Sequence, residues 1–122
     1  MRRRSCRAAA LLAALAAAGC ATLSVSDEQR MADQFEVQVQ REFRLVRDAV
    51  VVGYVDRIGQ RLVAAAGPQP FAYEFAVIDD PEINAFAGPG GRIYVHTGTI
   101  LAARNVSELA GVIAHEVGHV VE

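Results

Sequence analysis

His115-Glu116-Val117-Gly118-His119 combines the residue types and the spacing with the clearest chemical meaning in this chain. Two histidines four apart on a helix lie about 40° apart around the axis and about 6 Å apart along it, so their imidazoles can converge on one metal ion. Both can ligate a single zinc. Glu116 is one residue off either ligand position, which suits a carboxylate that handles a water molecule beside the metal instead of binding the metal. The pattern is HExxH, the arrangement of a zinc hydrolase. A pair of satisfied core histidines is the bland alternative, and it leaves the neighbouring acid without a role.

The helix that must carry these residues starts at Asn105, an N-cap with Glu108 three positions on. It reads apolar nearly all round through Val106, Leu109, Ala110, Val112, Ile113, Ala114, Val117 and Val120, as a helix inside a core does. Small Gly111, Ala114 and Gly118 allow close packing around it. Upstream, residues 71–78 alternate with period two, Phe71, Tyr73, Phe75 and Val77 against Ala72, Glu74, Ala76 and Ile78, and predict a strand. Asp79-Asp80-Pro81 is a turn, and residues 83–87 form a short extended piece ending in Gly88-Pro89-Gly90-Gly91, the strongest turn signal present. Residues 92–96 predict a second strand, and Gly98-Thr99 opens a short helical stretch over 100–103.

Two amphipathic helices precede the strands. Behind a capping box at Ser26-Asp27-Glu28-Gln29, Met31, Phe35, Val39, Phe43 and Val46 recur at three- and four-residue steps. The opposite face, Asp33, Glu36, Gln40, Arg41, Arg44 and Arg47, reads as solvated. Asp48 caps the second helix, which runs through Val50, Tyr54, Val55, Ile58, Leu62 and Val63 until Gly67-Pro68 stops it. Helices followed by a small sheet and a last helix give an α+β class.

At 122 residues, 52% of them hydrophobic, the chain has room for one domain with a packed core. Residues 1–19 are set apart. Arg2, Arg3, Arg4 and Arg7 form a basic head and residues 8–18 an apolar Ala/Leu run, which reads as an export signal and is too short for a membrane span. Ala17-Ala18-Gly19-Cys20 resembles a lipobox, with Ala17 where Leu is usual, and makes Cys20 the expected lipidation site; an ordinary small-residue cut remains the alternative. Firm anchoring through Cys20 needs more than one acyl chain. Cys6 falls in the signal, so the mature part, residues 20–122, has no intrachain disulfide. It keeps eight of the twelve basic residues and all fourteen acidic ones, for a net charge of −6. That balance, with no basic patch, argues against nucleic acid as a partner.

Several segments together resemble metallopeptidase family forty-eight, the HtpX and CAAX prenyl endopeptidase-like zinc metalloproteases. They are Asn84-Ala85-Phe86-Ala87, Pro89-Gly90-Gly91, Ile93-Tyr94-Val95, Gly98, and residues 107–114 leading into HEVGH. The signal and Cys20 point to its periplasmic lipoprotein branch. The resemblance implies a zincin-like fold, one Zn2+ held by His115 and His119, and Glu116 as general base in peptide-bond hydrolysis. It makes the strand 92–96 similar to a sheet edge that aligns an extended substrate, which assigns Tyr94 and His96 to substrate binding.

The resemblance also implies a third ligand, a glutamate on a later helix, so residues 20–122 are expected to be the N-terminal portion of the domain. Alone they should bind zinc weakly and cleave nothing. Glu108 lies about 10.5 Å along the helix from His115, too far to substitute, and Glu122 would require three ligands from consecutive turns of one helix. The implied function is a zinc metalloendopeptidase of envelope and outer-membrane protein quality control. Its expected partners are polypeptides, misfolded outer-membrane proteins among them, and its place the periplasm, anchored to the outer membrane. A non-catalytic periplasmic chaperone or adaptor on the same fold is the alternative, and a structural lipoprotein with a chance motif would hold no metal.

Overall fold

Ser24, extended at φ −73° and ψ 158°, accepts a hydrogen bond from the Asp27 N–H and starts helix α1 (Val25–Glu42). The expected cap at Ser26 is therefore corrected by two residues: Ser26 lies in the first turn, where the acids Asp27 and Glu28 complement the helix dipole. The computed structural model describes residues 23–121, so the signal segment, Cys20 and Glu122 lie outside the described residues.

Helix α1 stops at Glu42, short of the expected Val46, because the next residues turn to pair with a strand. Phe43 takes φ −127° and ψ 151°, Leu45 bridges Ile78 in antiparallel fashion, and the Val46 N–H donates to the Val77 carbonyl at 2.8 Å. Helix α2 (Ala49–Ala66) follows. The Asp48 carboxylate caps it by accepting from Val50 N–H at 2.9 Å and Val51 N–H at 3.2 Å, and Gly67 ends it at φ 93°, a conformation that glycine adopts without a Cβ penalty.

Strands β1 (Glu74–Ile78), β2 (Ala85–Gly88) and β3 (Arg92–His96) form one sheet in the order β1-β3-β2, with β1 parallel and β2 antiparallel to β3. Strand alternation divides the core into two. Phe75, Val77, Ile93, Val95, Ala85 and Ala87 face α2 and the last helix, α4 (Val106–Val121), where Val55, Leu109, Ile113 and Val117 complete the larger cluster. Ala76, Ile78, Tyr94 and Phe86 face α1, against Phe35 and Val39, with Phe43 beside them. The result is α1, then sheet, then α2 with α4. A short helix, α3 (Thr97–Ala102), joins β3 to α4.

The turn between β2 and β3 is clamped by α1. Gly90 and Gly91 sit at φ 71° and 77°, and a Cβ on Gly90 would come within 2.7 Å of the Ala32 Cβ. The Gly90 N–H donates to the Glu28 carboxylate at 3.1 Å. The next residue corrects the reading of the α1 surface as merely solvated. Arg92, 8% exposed, donates to Asp33 at 3.0 Å and pairs with Glu36, while Glu74 lies 3.7 Å from its Nε. Two acids of that face hold a buried cation.

Candidate metal centre on the last helix

The start of α4 is fixed twice. Asn105 Oδ1 accepts the Glu108 N–H at 2.9 Å, and the Glu108 carboxylate accepts from the Arg104 N–H at 2.8 Å and its Nε at 2.9 Å. These bonds, the backbone one first, hold the Glu108 carboxyl below its ordinary pKa. Leu109, Ile113 and Val117, at most 4% exposed, then pin one face to the sheet. Burying each contributes about 1.5–3 kcal/mol, and their four-residue spacing sets the rotation of the helix about its axis.

That rotation turns His115 and His119 outward. Both are exposed and Glu116 is half-buried. The expectation of a helix buried all round is corrected here. Val112 is exposed, and a Cβ on Gly111 or Gly118 would meet nothing within 4 Å. The sheet and α2 cover one side of α4, and among the described residues nothing covers the other.

The two imidazoles converge. Their Nε2 atoms lie 2.9 Å apart, with ring centroids at 4.4 Å and planes at 84°. Nitrogen ligands at the usual zinc distance of about 2.0–2.1 Å sit roughly 3.3 Å from one another in a tetrahedral shell. The pair fits such an ion after opening by a few tenths of an ångström. Among the described residues no third histidine, cysteine or carboxylate clusters with them, and Glu108 is engaged with Arg104.

The structure separates Tyr94 and His96 from this site. They are 2% and 1% exposed, and they face α1, on the opposite side of the sheet from α4. Tyr94 stacks on Phe86 at 5.0 Å, while His96 meets the edges of Phe43 and Phe86. Both side chains are buried on the α1 side of the sheet, so neither reaches the face of α4 that carries His115 and His119. Strand β3 is also not an edge, since β1 and β2 pair with its two sides.

The edge nearest α4 is β2. The His96 N–H donates to the Asn84 carbonyl at 3.0 Å, so in this antiparallel register Asn84, Phe86 and Gly88 direct their backbone groups to β3. Ala85 and Ala87 direct theirs outward.

Thr97, which sequence reasoning passed over, and Gly98 and Thr99, which it read as the start of a short helical stretch, hold this edge in place. Thr99 Oγ1 accepts the Asn84 N–H at 2.8 Å and donates to the Asn84 carbonyl at 2.7 Å. Thr97 Oγ1 treats Asp80 the same way, at 3.1 and 2.9 Å. Between them, Gly98 donates to the Asp80 carbonyl at 2.9 Å, and a Cβ there would lie 2.2 Å from the Pro81 carbonyl oxygen. The Thr-Gly-Thr run directly after a strand was the signal: two hydroxyls flanking the one residue that permits close backbone approach.

A groove of about 650 Å³ between the start of α2 and the start of β1 is lined by Val46, Val52, Asp56, Tyr73 and neighbours, and by no residue of the HEVGH motif. Among the described residues no helix is long and apolar enough to cross a membrane.

A mixed arrangement of helices and a small sheet, with HEVGH on the last described helix, agrees with the comparison to known proteins. The model of Peptidase family M48 matches residues 50–122, more than half of the chain, and the chain belongs to that family. It is similar to the beta-barrel assembly-enhancing protease of Escherichia coli (strain K12), 36% identical over 101 residues that cover 83% of this chain and 21% of that protein. The putative beta-barrel assembly-enhancing protease of Vibrio cholerae is 38% identical over the same shares of the two chains. The mitochondrial metalloendopeptidase OMA1 of Schizosaccharomyces pombe is 34% identical over 100 residues, 80% of this chain and 30% of that one. The chain thus spans between about a fifth and a third of the length of these relatives.

Proposed function

We propose that this chain is the zinc-holding part of a metalloendopeptidase, with His115 and His119 as zinc ligands and Glu116 as general base. The observation that carries the reading is the 2.9 Å approach of the two Nε2 atoms on an exposed helix face, with Glu116 the next residue along. Zinc bound there supplies Lewis acidity, polarising the peptide carbonyl and acidifying water. Glu116 takes the proton from the attacking water on a carboxylate oxygen and passes it to the departing amine nitrogen. A glutamate from outside the described residues completes the ligand set, as the family resemblance implies.

The outward N–H and C=O groups of Ala85 and Ala87 pair with an extended peptide laid along β2. This mode reads backbone shape and tolerates many sequences. The names of the relatives support a role in the envelope. The protein is exported by its signal segment, lipidated at Cys20 and held in the periplasm on the outer membrane, where misfolded outer-membrane polypeptides are its substrates.

The test is Glu116→Gln in the intact protease. Zinc content stays unchanged and peptide hydrolysis falls by about 10²–10⁴-fold, the usual worth of a positioned general base. Undiminished hydrolysis by that variant sinks the assignment of Glu116, and a zinc content that His115→Ala with His119→Ala leaves undiminished sinks the ligand pair.

A further inference from the structure

His96 is the third histidine of the chain, and its surroundings on the far side of the sheet are unlike those of the HEVGH pair. It is 1% exposed, and neither of its ring nitrogens has a hydrogen-bond partner among the described residues. Buried polar atoms are rarely left so, because each one taken from water without a replacement is destabilising. The Asp80 carboxylate places its Oδ1 3.7 Å from His96 Nδ1, too long for a hydrogen bond. Glu82 stands beside it. One ligand atom from each of Asp80, Glu82 and His96 lies within 4.8 Å of the others.

We propose that His96, Asp80 and Glu82 form a second divalent-cation site, separate from the HEVGH pair and structural in role. One imidazole with two carboxylates is a donor set for a borderline ion of the zinc type; an all-oxygen set would instead select calcium or magnesium. Nitrogen and oxygen ligands of zinc sit roughly 3.3–3.5 Å apart in a tetrahedral shell. The three groups therefore need to close by about an ångström. Glu82 is exposed and Asp80 only partly buried, so their side chains can rotate inward while the buried ring stays fixed. The backbone behind them is already set. Thr97 and Gly98 hold Asp80, Thr99 holds Asn84, and Asp80 Oδ1 accepts the Glu82 N–H at 2.8 Å, folding the loop into a tight turn. A cation here locks the 80–84 loop to the end of β3 and so fixes the residue from which β2 begins. His96 faces α1, so it cannot share an ion with His115 and His119 across the sheet.

The chain has three histidines, so His115→Ala with His119→Ala leaves His96 as the sole imidazole, and its NMR signals report unambiguously. Zn2+ titrated into that double variant should shift the His96 ring resonances with saturation near one equivalent. Adding Glu82→Gln, an exposed change that leaves the core intact, should weaken that response by at least the roughly 10–100-fold typical of losing an outer-shell partner, with the circular dichroism spectrum unchanged. A folded double variant whose His96 resonances ignore Zn2+ overturns the proposal, including the case where zinc is taken up elsewhere. A His96 response that Glu82→Gln leaves intact overturns it as well. Both results leave the reading of the HEVGH pair untouched, because that pair is absent from the experiment.

Discussion

On the α1 side of the sheet most charged groups are committed to structure: Arg92 is gripped by Asp33 and Glu36, and Glu28 ties down the glycine turn. On the outer face of α4, His115 and His119 make side-chain hydrogen bonds only to each other among the described residues. The first set explains itself by what it holds together. The second has no structural task, since Leu109, Ile113 and Val117 already dock the helix from its opposite face. Polar groups aligned on a rigid element, converging, and unused by the fold are what a binding site looks like before its ligand is considered.

The contrast makes predictions that can break it. The largest concerns the two faces of α4. Ile113→Ala, at a site with no exposure, should cost about 2–5 kcal/mol in urea denaturation, whereas Val112→Ala should stay within about 0.5 kcal/mol. Equal losses would mean that the outer face is packed as tightly as the inner one.

Next come the glycines. Gly98→Ala drives a Cβ into the backbone of the 80–84 loop and should lower stability by about 1–3 kcal/mol. Gly118→Ala meets open space and should raise stability by up to about 1 kcal/mol through helix propensity. A loss at Gly118, read from the same denaturation curves, would show the helix surface to be covered.

The smallest effect is electrostatic. Because the Glu108 carboxyl is held below its ordinary value of 4.5, its contribution is full above that pH and is lost as the pH falls through the lowered pKa. The gap in urea midpoint between wild type and Glu108→Gln should therefore be present at pH 7 and close in strong acid.

Much of this was legible in the sequence, and the parts that were not share a cause. Strand β3 was read with its observed bounds, because Ile93, Tyr94 and Val95 follow a glycine turn and precede Thr-Gly-Thr. Helix α4 was legible from Asn105, whose side chain caps it as read, although the Glu108 carboxylate reaches the Arg104 N–H instead of that of Asn105. The end of α1 was not legible. Phe43 and Val46 fit a helical stripe equally well, and only Ile78, more than thirty positions on, draws Leu45 into a bridge instead. Distance in sequence also hid the partners of Arg92, since Asp33 lies 59 positions away. Periodicity counted the apolar residues of α4 correctly but not how many of its faces have a neighbour. For the same reason Tyr94 and His96 were read as cleft residues: whether a strand is central or an edge is settled by its partners and not by its own residues.

The most direct measurement is a zinc titration of the wild-type chain followed through its histidine ring resonances. The account predicts that the Nε2 signals of His115 and His119 move together, and that His119→Ala abolishes the movement of His115. A folded chain in which the two rings ignore zinc, or in which His115 responds undiminished without His119, would contradict it.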